Sequence, residues 1–284
     1  MMLLIAGRSA SGKDRLQQEL RDMFGLSPVM SSTTRPRRPG EGDTHVFLEL
    51  DEEQLAKARE TAVAWTDIGN YSYFATREDV ESADMYIIDP PGIREICQTM
   101  PDEVFIIVNV RADEQARLSH AMSRAQGDED EVDVFRRRSE DESQRFDEFE
   151  DMVDRHMAGE PDVFPENVIA TIVVTNDFVP STMATAASVI ETERIAYDNV
   201  RLMLSMCAEA GHMQADEKGH IPTIDENGET KYVRQEILAA EIMRDHTALG
   251  QLTSRWIRLD RISDNIVSDQ NVETVDEEAP NAHE

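Results

Sequence analysis

Cysteine, lysine and long apolar runs are scarce in this sequence, and each shortage closes off a class of protein. Two cysteines, Cys97 and Cys207, in 284 residues are too few for a disulfide scaffold or a thiolate metal centre, and suit a reducing compartment. Lysine occurs only at Lys13, Lys57, Lys218 and Lys231, and all basic residues together number 28 against 58 acidic ones. A formal charge of -30 gives no footprint for DNA or RNA and argues against anionic membrane surfaces. A small anionic substrate therefore needs a locally basic pocket. Nothing has the length of a membrane span, and the opening "MMLLIAG" lacks the length and basic start of a signal peptide. A cytoplasmic location is the expectation.

What apolar character there is comes in short blocks. Residues 1–7, 84–89, 104–110 and 170–176 are continuous apolar runs of the kind buried on both faces of a parallel sheet, each followed by material able to return as a helix. The chain reads as α/β. Between the first two runs, "MSSTTRPRRPGEGDTHVFLELDEEQLAKARE" is too rich in turn residues for a simple crossover. "THVFLEL" has the pattern of a strand and "DEEQLAKARE" that of a capped helix, so a small inserted lobe is expected. From Asp113 to about Met157 the chain is charged and helix-compatible, with a break around 124–133. Residues 180–211 read as one or two helices, 211–232 as a polar linker or hairpin, and 234–265 as a further helix in which Leu249, Leu252, Trp256 and Leu259 recur at three and four. The predicted organisation is a core domain over 1–194, with an acceptor lobe at about 31–83 and a lid at about 120–158. A helical extension over 195–267 and an acidic tail of disordered composition over 268–284 follow.

The octapeptide "GRSASGKD", Gly7 to Asp14, directly follows the first apolar run and opens the helix-compatible "DRLQQELRDMFG". That setting turns a modest G-x-x-x-x-G-K match into a phosphate-binding loop. Gly7 and Gly12 permit a tight wrap in which the backbone of Ser9, Ala10 and Ser11 turns its N–H groups inward, the helix start adds its positive end, and Lys13 reaches the terminal phosphates. The alternative is a glycine-rich turn with Lys13 in solvent. Asp14 stands where a hydroxyl usually meets Mg²⁺; it reads either as a hard carboxylate ligand or as a helix cap. Asp89, closing "YIID" at the end of a buried strand, is likewise either a metal or acceptor carboxylate or the cap of the turn that follows.

With these elements placed, the chain resembles the guanylate kinase family of nucleoside monophosphate kinases. The match runs in family order through "GRSASGKD", "SSTTRPRRPGEGDTHVF", "GNYSYFAT", "YIID", "SRAQGDEDEVDVFRRR" and "VVTND", over about residues 1–190. The resemblance implies a P-loop NTPase three-layer fold with a mostly parallel sheet, a small inserted acceptor lobe, a helical lid and, here, a C-terminal helical extension. It implies ATP and Mg²⁺ as cofactors and a nucleoside monophosphate as acceptor. Ser31, Arg35 and Arg38 match the positions that grip the acceptor phosphate, in agreement with the planar donor forks that arginines offer. His45 replaces a phosphate-binding Tyr, with a contribution that varies near neutral pH. Tyr73, preferred over Tyr71, matches the other such Tyr, and Thr76 a small hydroxyl near the base. Arg124, Arg136 and Arg137 fall in the closing lid, and Asn176 on the adenine side.

The departures bear on the acceptor. Ala64 stands where the family places its guanine-reading Glu, with Asp67 a displaced substitute, and "PPG" replaces the second Asp after "YIID". These features and Asp14 are similar to the ribose 1,5-bisphosphate phosphokinase branch, whereas "SSTTRPRR" looks like a guanylate kinase. The expected activity is ATP-dependent phosphoryl transfer to GMP, dGMP or another nucleoside monophosphate. A ribose-bisphosphate-type kinase and a catalytically weak binding or assembly module are the alternatives, and a homodimer through the C-terminal helices is the expected protein partner.

Overall fold

The computed structural model describes residues 1–37, 41–42, 44–125, 129–179, 181–209, 215–224 and 228–244. Met1–Ala240 form one compact unit and Glu241–Glu284 a second, of which 241–244 are described. The predicted recurrence at Leu249, Leu252, Trp256 and Leu259 and the acidic tail lie outside the described residues.

The core is a parallel sheet. Strands β1 (Met2–Ala6), β6 (Met85–Ile87), β7 (Phe105–Arg111) and β8 (Val168–Thr175) are arranged in the order β6-β1-β7-β8. All neighbouring pairs are parallel, with Leu4 opposite Tyr86 on one side and Ile107 on the other. Every residue of β1 is buried, which is why the run contains no polar residue. Met2, Leu4 and Ala6 join a core cluster with Ile93, Ile96 and Cys97 of helix α4 (Pro90–Thr99) and Phe146, Phe149 and Val153 of helix α6 (Glu129–Met157). On the other side of the sheet, helix α1 (Lys13–Phe24) buries Leu16 and Leu20 and lies beside helix α7 (Thr182–Glu209). The result is the three-layer α/β fold of P-loop proteins.

The inserted lobe is a second, mixed sheet. Strands β2 (Ser32–Thr33), β3 (Val46–Phe47), β4 (Ala62–Ile68) and β5 (Tyr71–Thr76) run in the order β3-β2-β5-β4. The helix expected at "DEEQLAKARE" is α2 (Glu52–Thr61), started by a capping box between Asp51 and Gln54. The short helix α3 (Arg77–Glu81) leads back to the core.

Helix α5 (Glu114–Ala125) and α6 flank 126–128, inside the predicted break. Helix α7 is continuous through 194–195, the boundary expected from sequence, and buries Tyr197, Val200, Leu204 and Cys207 beyond it. The polar run Glu191–Arg194 at that point stays helical. The segment around 211–232 contains an antiparallel hairpin of β9 (Ile221–Ile224) and β10 (Thr230–Val233), followed by α8 (Gln235–Arg244).

Candidate active site

The loop between β1 and α1 is shaped by close backbone approach. A Cβ on Gly7 would lie 2.3 Å from the Val110 carbonyl oxygen, and one on Gly12 would lie 2.5 Å from Asn176 Nδ2. Gly12 also has φ 101°, and Ala10 a positive φ of 60°, so the loop curls back on itself with N–H groups turned inward. No side chain caps the start of α1, which leaves its first N–H groups for a ligand. Lys13 Nζ donates to the carbonyls of Gly7 at 2.7 Å and Arg8 at 3.0 Å. Burial holds its ammonium below the usual lysine range, opposed by the charges of Asp14 and Glu142. A cation desolvated in this way and satisfied by neutral carbonyls is suited to an anionic ligand. Asp14 is exposed in the first turn of α1, with a hard oxygen donor next to the loop as Mg²⁺ requires.

Asn176 corrects one expectation. Its Nδ2 donates to the Ser11 carbonyl at 2.8 Å and its Oδ1 accepts from the Phe178 N–H at 2.8 Å. The side chain is buried and braces the loop from below, so its amide is committed to backbone instead of a nucleotide base.

Helix α6 reaches the same loop from above, through residues that carried no signal in the sequence. Glu142 accepts from the Ser9 N–H at 2.6 Å and the Ser9 hydroxyl at 3.0 Å. Arg117, on α5 and nearly inaccessible, donates to the Ser9 carbonyl at 3.1 Å and lies 3.8 Å from Glu142. Arg8 is held by Asp147 at 2.6 Å and by Glu150 at 3.1 Å. Of the consecutive arginines 136–138, Arg138 acts electrostatically on Lys13. Arg136 is exposed and paired with Asp133 on its own helix, Arg137 is exposed and Arg138 is half-buried. The side chain of Arg124 and the whole of Arg38 lie outside the described residues.

In the lobe, Ser31, Arg35, His45 and Tyr73 converge. Ser31 Oγ and His45 Nδ1 are 2.9 Å apart, and Arg35 Nε donates to the Tyr73 hydroxyl at 3.1 Å. The Arg35 guanidinium, 7% exposed, also forks onto Glu41 with contacts of 2.8 and 2.7 Å.

Two further expectations change. Thr76 is the N-cap of α3, its hydroxyl and N–H engaged in a capping box with Asp79, and is not available to a base. Asp89 caps α4: Oδ1 accepts from Thr66 Oγ1 and the Gly92 N–H, while Oδ2 faces Arg145 at 3.6 Å. A metal ion there would compete with the guanidinium. Ala64 is 1% exposed and lies in the apolar core; the polar groups of that region are Thr66, Asp89 and Arg145. Burial pushes the nearby Tyr86 hydroxyl above its usual range, and a hydrogen bond with Ser31 opposes the shift.

His45 yields a pH prediction. Its imidazole is held below the usual 6.5, first by burial and then by Arg35; Glu41, Ser31 and Asp14 oppose the shift, and Phe47 and Tyr73 close off the ring. His45 is therefore neutral at neutral pH, and the charge variation expected there moves to more acidic conditions. The unfolded chain takes up the proton first, so this contribution to stability is complete above 6.5 and is lost as pH falls through the lower folded value. Replacing His45 with Gln is expected to flatten the fall in thermal midpoint between about pH 7 and pH 5. Superimposable pH curves for the two proteins would remove His45 as the cause.

No family model matches the chain. A guanylate kinase of Nitrobacter winogradskyi is 31% identical over 150 residues, 49% of this chain and 66% of that protein. One of Hydrogenovibrio crunogenus is 31% identical over 166 residues, 54% of this chain and 78% of that protein. The chain belongs to the guanylate kinase family. A third guanylate kinase, of Rhizobium meliloti, extends the similarity to 70% of this chain and 85% of its own length at 26% identity. The crystal structure of guanylate kinase from Anaplasma phagocytophilum is 14% identical, covers 68% of this chain and 85% of its own, and has a TM-score of 0.36.

Proposed function

We propose that the protein transfers the γ-phosphoryl group of ATP to the phosphate of a small acceptor, a nucleoside monophosphate, with GMP and dGMP the first candidates. The observation that carries this reading is the desolvated ammonium of Lys13, held in a glycine-shaped cradle against neutral carbonyls. In the reaction an acceptor phosphate oxygen forms a bond to the γ-phosphorus while the bond to the β–γ bridging oxygen breaks and ADP leaves. No side-chain nucleophile is required. The chain's task is to align two phosphates and neutralise charge. Lys13 and the N–H groups of the loop hold the donor phosphates, Arg35, Tyr73, Ser31 and His45 hold the acceptor phosphate, and Arg117 and Arg138 surround the transferring group. A Mg²⁺ ion beside Asp14 would supply charge neutralisation on the donor oxygens.

The burial of Ala64 favours a second reading of the acceptor alone. Without an acceptor carboxylate at that position, guanine loses its reader, and a phosphorylated ribose would need only the arginine and tyrosine grip. The test is a panel: full-length protein, ATP and Mg²⁺, with GMP, dGMP, other nucleoside monophosphates and ribose 1,5-bisphosphate in separate reactions. Transfer to a nucleoside monophosphate supports the first reading and transfer to the sugar phosphate alone the second. Transfer to none would leave a binding module.

A further inference from the structure

The anion cradle of the loop is filled by the chain itself. Glu142 places both carboxylate oxygens on Ser9, one on its N–H and one on its hydroxyl. It does so among Arg117 at 3.8 Å and the charge field of Lys13. A carboxylate held this way presents acceptor oxygens and a negative charge where a phosphate would present them. Around it α6 is fastened to the core by further acid–base contacts on the same face, Asp147 and Glu150 to Arg8 and Asp154 to Arg111 at 2.8 Å. Phe146 packs beneath Arg8. Positions 142, 146, 150 and 154 are spaced one turn apart, so one stripe of the helix meets Ser9, Arg8 and Arg111. Arg138 lies one turn before Glu142, also towards Lys13.

We infer that Glu142 is an intramolecular phosphate surrogate, and that α6 is an autoinhibitory strap which the donor nucleotide must displace from Ser9 in order to bind. The inference rests on the reading of the loop as the donor site. The Ser9 N–H and hydroxyl cannot serve a carboxylate and a phosphate at once, and two anions cannot share the cradle without strong repulsion. Part of the intrinsic affinity for nucleotide is therefore consumed in expelling Glu142. The same event frees α6 at this end, while Arg8 retains its two carboxylates, so donor entry is coupled to repositioning of the lid and of Arg138.

The test is binding of a non-hydrolysable ATP analogue with Mg²⁺ to full-length wild type, Glu142→Gln, Glu142→Ala and Lys13→Ala, measured by titration calorimetry. Amide hydrogen exchange at Ser9 in the nucleotide-free proteins is measured alongside. Glu142→Gln keeps the size and one acceptor oxygen and loses the charge; it decides the matter if Glu142→Ala does not fold. Expected are about tenfold tighter binding by both Glu142 variants and faster exchange at Ser9 than in wild type. Wild-type binding that is abolished in Lys13→Ala but unchanged or weakened in the Glu142 variants would overturn the strap and leave the donor site standing. Absence of binding in wild type and in every variant would overturn both.

Discussion

Replacing Lys13 with Ala is expected to reduce phosphoryl transfer about 10³-fold, corresponding to about 4 kcal/mol of transition-state stabilisation, with little change in fold. The ammonium sits in a site that strips it of water and gives back only the Gly7 and Arg8 carbonyls. Its interaction with a phosphate is thus undiluted by solvent and reaches full strength when charge moves onto the β–γ oxygens. The aliphatic stem contributes little to the core, whose buried members in this helix are Leu16 and Leu20. Lys13→Arg is expected to rescue poorly. A planar fork needs more width than a cradle in which a single added methyl at Gly7 or Gly12 would collide with backbone or Asn176. The measurements are steady-state transfer to the preferred acceptor and thermal unfolding of the same preparations. Retained transfer in a folded Lys13→Ala protein would remove the loop from the chemistry.

How much of this was legible in the sequence depended on how local each feature was. The parallel sheet announced itself because strands buried on both faces are mostly apolar, and β1, β6, β7 and β8 lie in or beside the four apolar runs, with Asn109 the buried polar exception in β7. The loop was readable because its glycines and lysine stand at fixed local spacing directly after β1, although the close approaches that require the glycines come from Val110 and Asn176. Ser31, Arg35, His45 and Tyr73 were found as a set through family resemblance, and the lobe sheet brings them together by pairing β2 with β5. What escaped was long-range and anonymous. Glu142 lies 133 positions from Ser9 in a helix crowded with acidic residues, and nothing local marks it from its neighbours. Arg117 reads as an ordinary arginine on an amphipathic helix until α5 is seen against the loop. Thr76 and Asp89 were ambiguous for another reason. Thr and Asp at a strand–helix junction are also what a helix start needs; here the Thr76 hydroxyl and Asp89 Oδ1 serve as caps.

Arg35 is expected to carry the other large effect, on the acceptor half. In the free protein its guanidinium forks onto Glu41 while Tyr73 accepts from Nε. An acceptor phosphate offers the same pair of oxygens at greater charge, so the fork is already formed for it. Arg35→Ala is expected to lower kcat/KM for the acceptor about 10²-fold, mainly through KM, while KM for ATP changes little. Part of the damage is structural, because Glu41, itself only 16% exposed, loses its bidentate partner. The double variant Arg35→Ala with Glu41→Gln separates the two: neutralising Glu41 restores stability but not acceptor affinity. Arg35→Lys keeps the charge without the fork and should fall between wild type and Arg35→Ala. Were the double variant to recover acceptor KM together with stability, Arg35 would be a brace for the lobe, and the acceptor phosphate would have to be sought along Ser31, His45 and Tyr86.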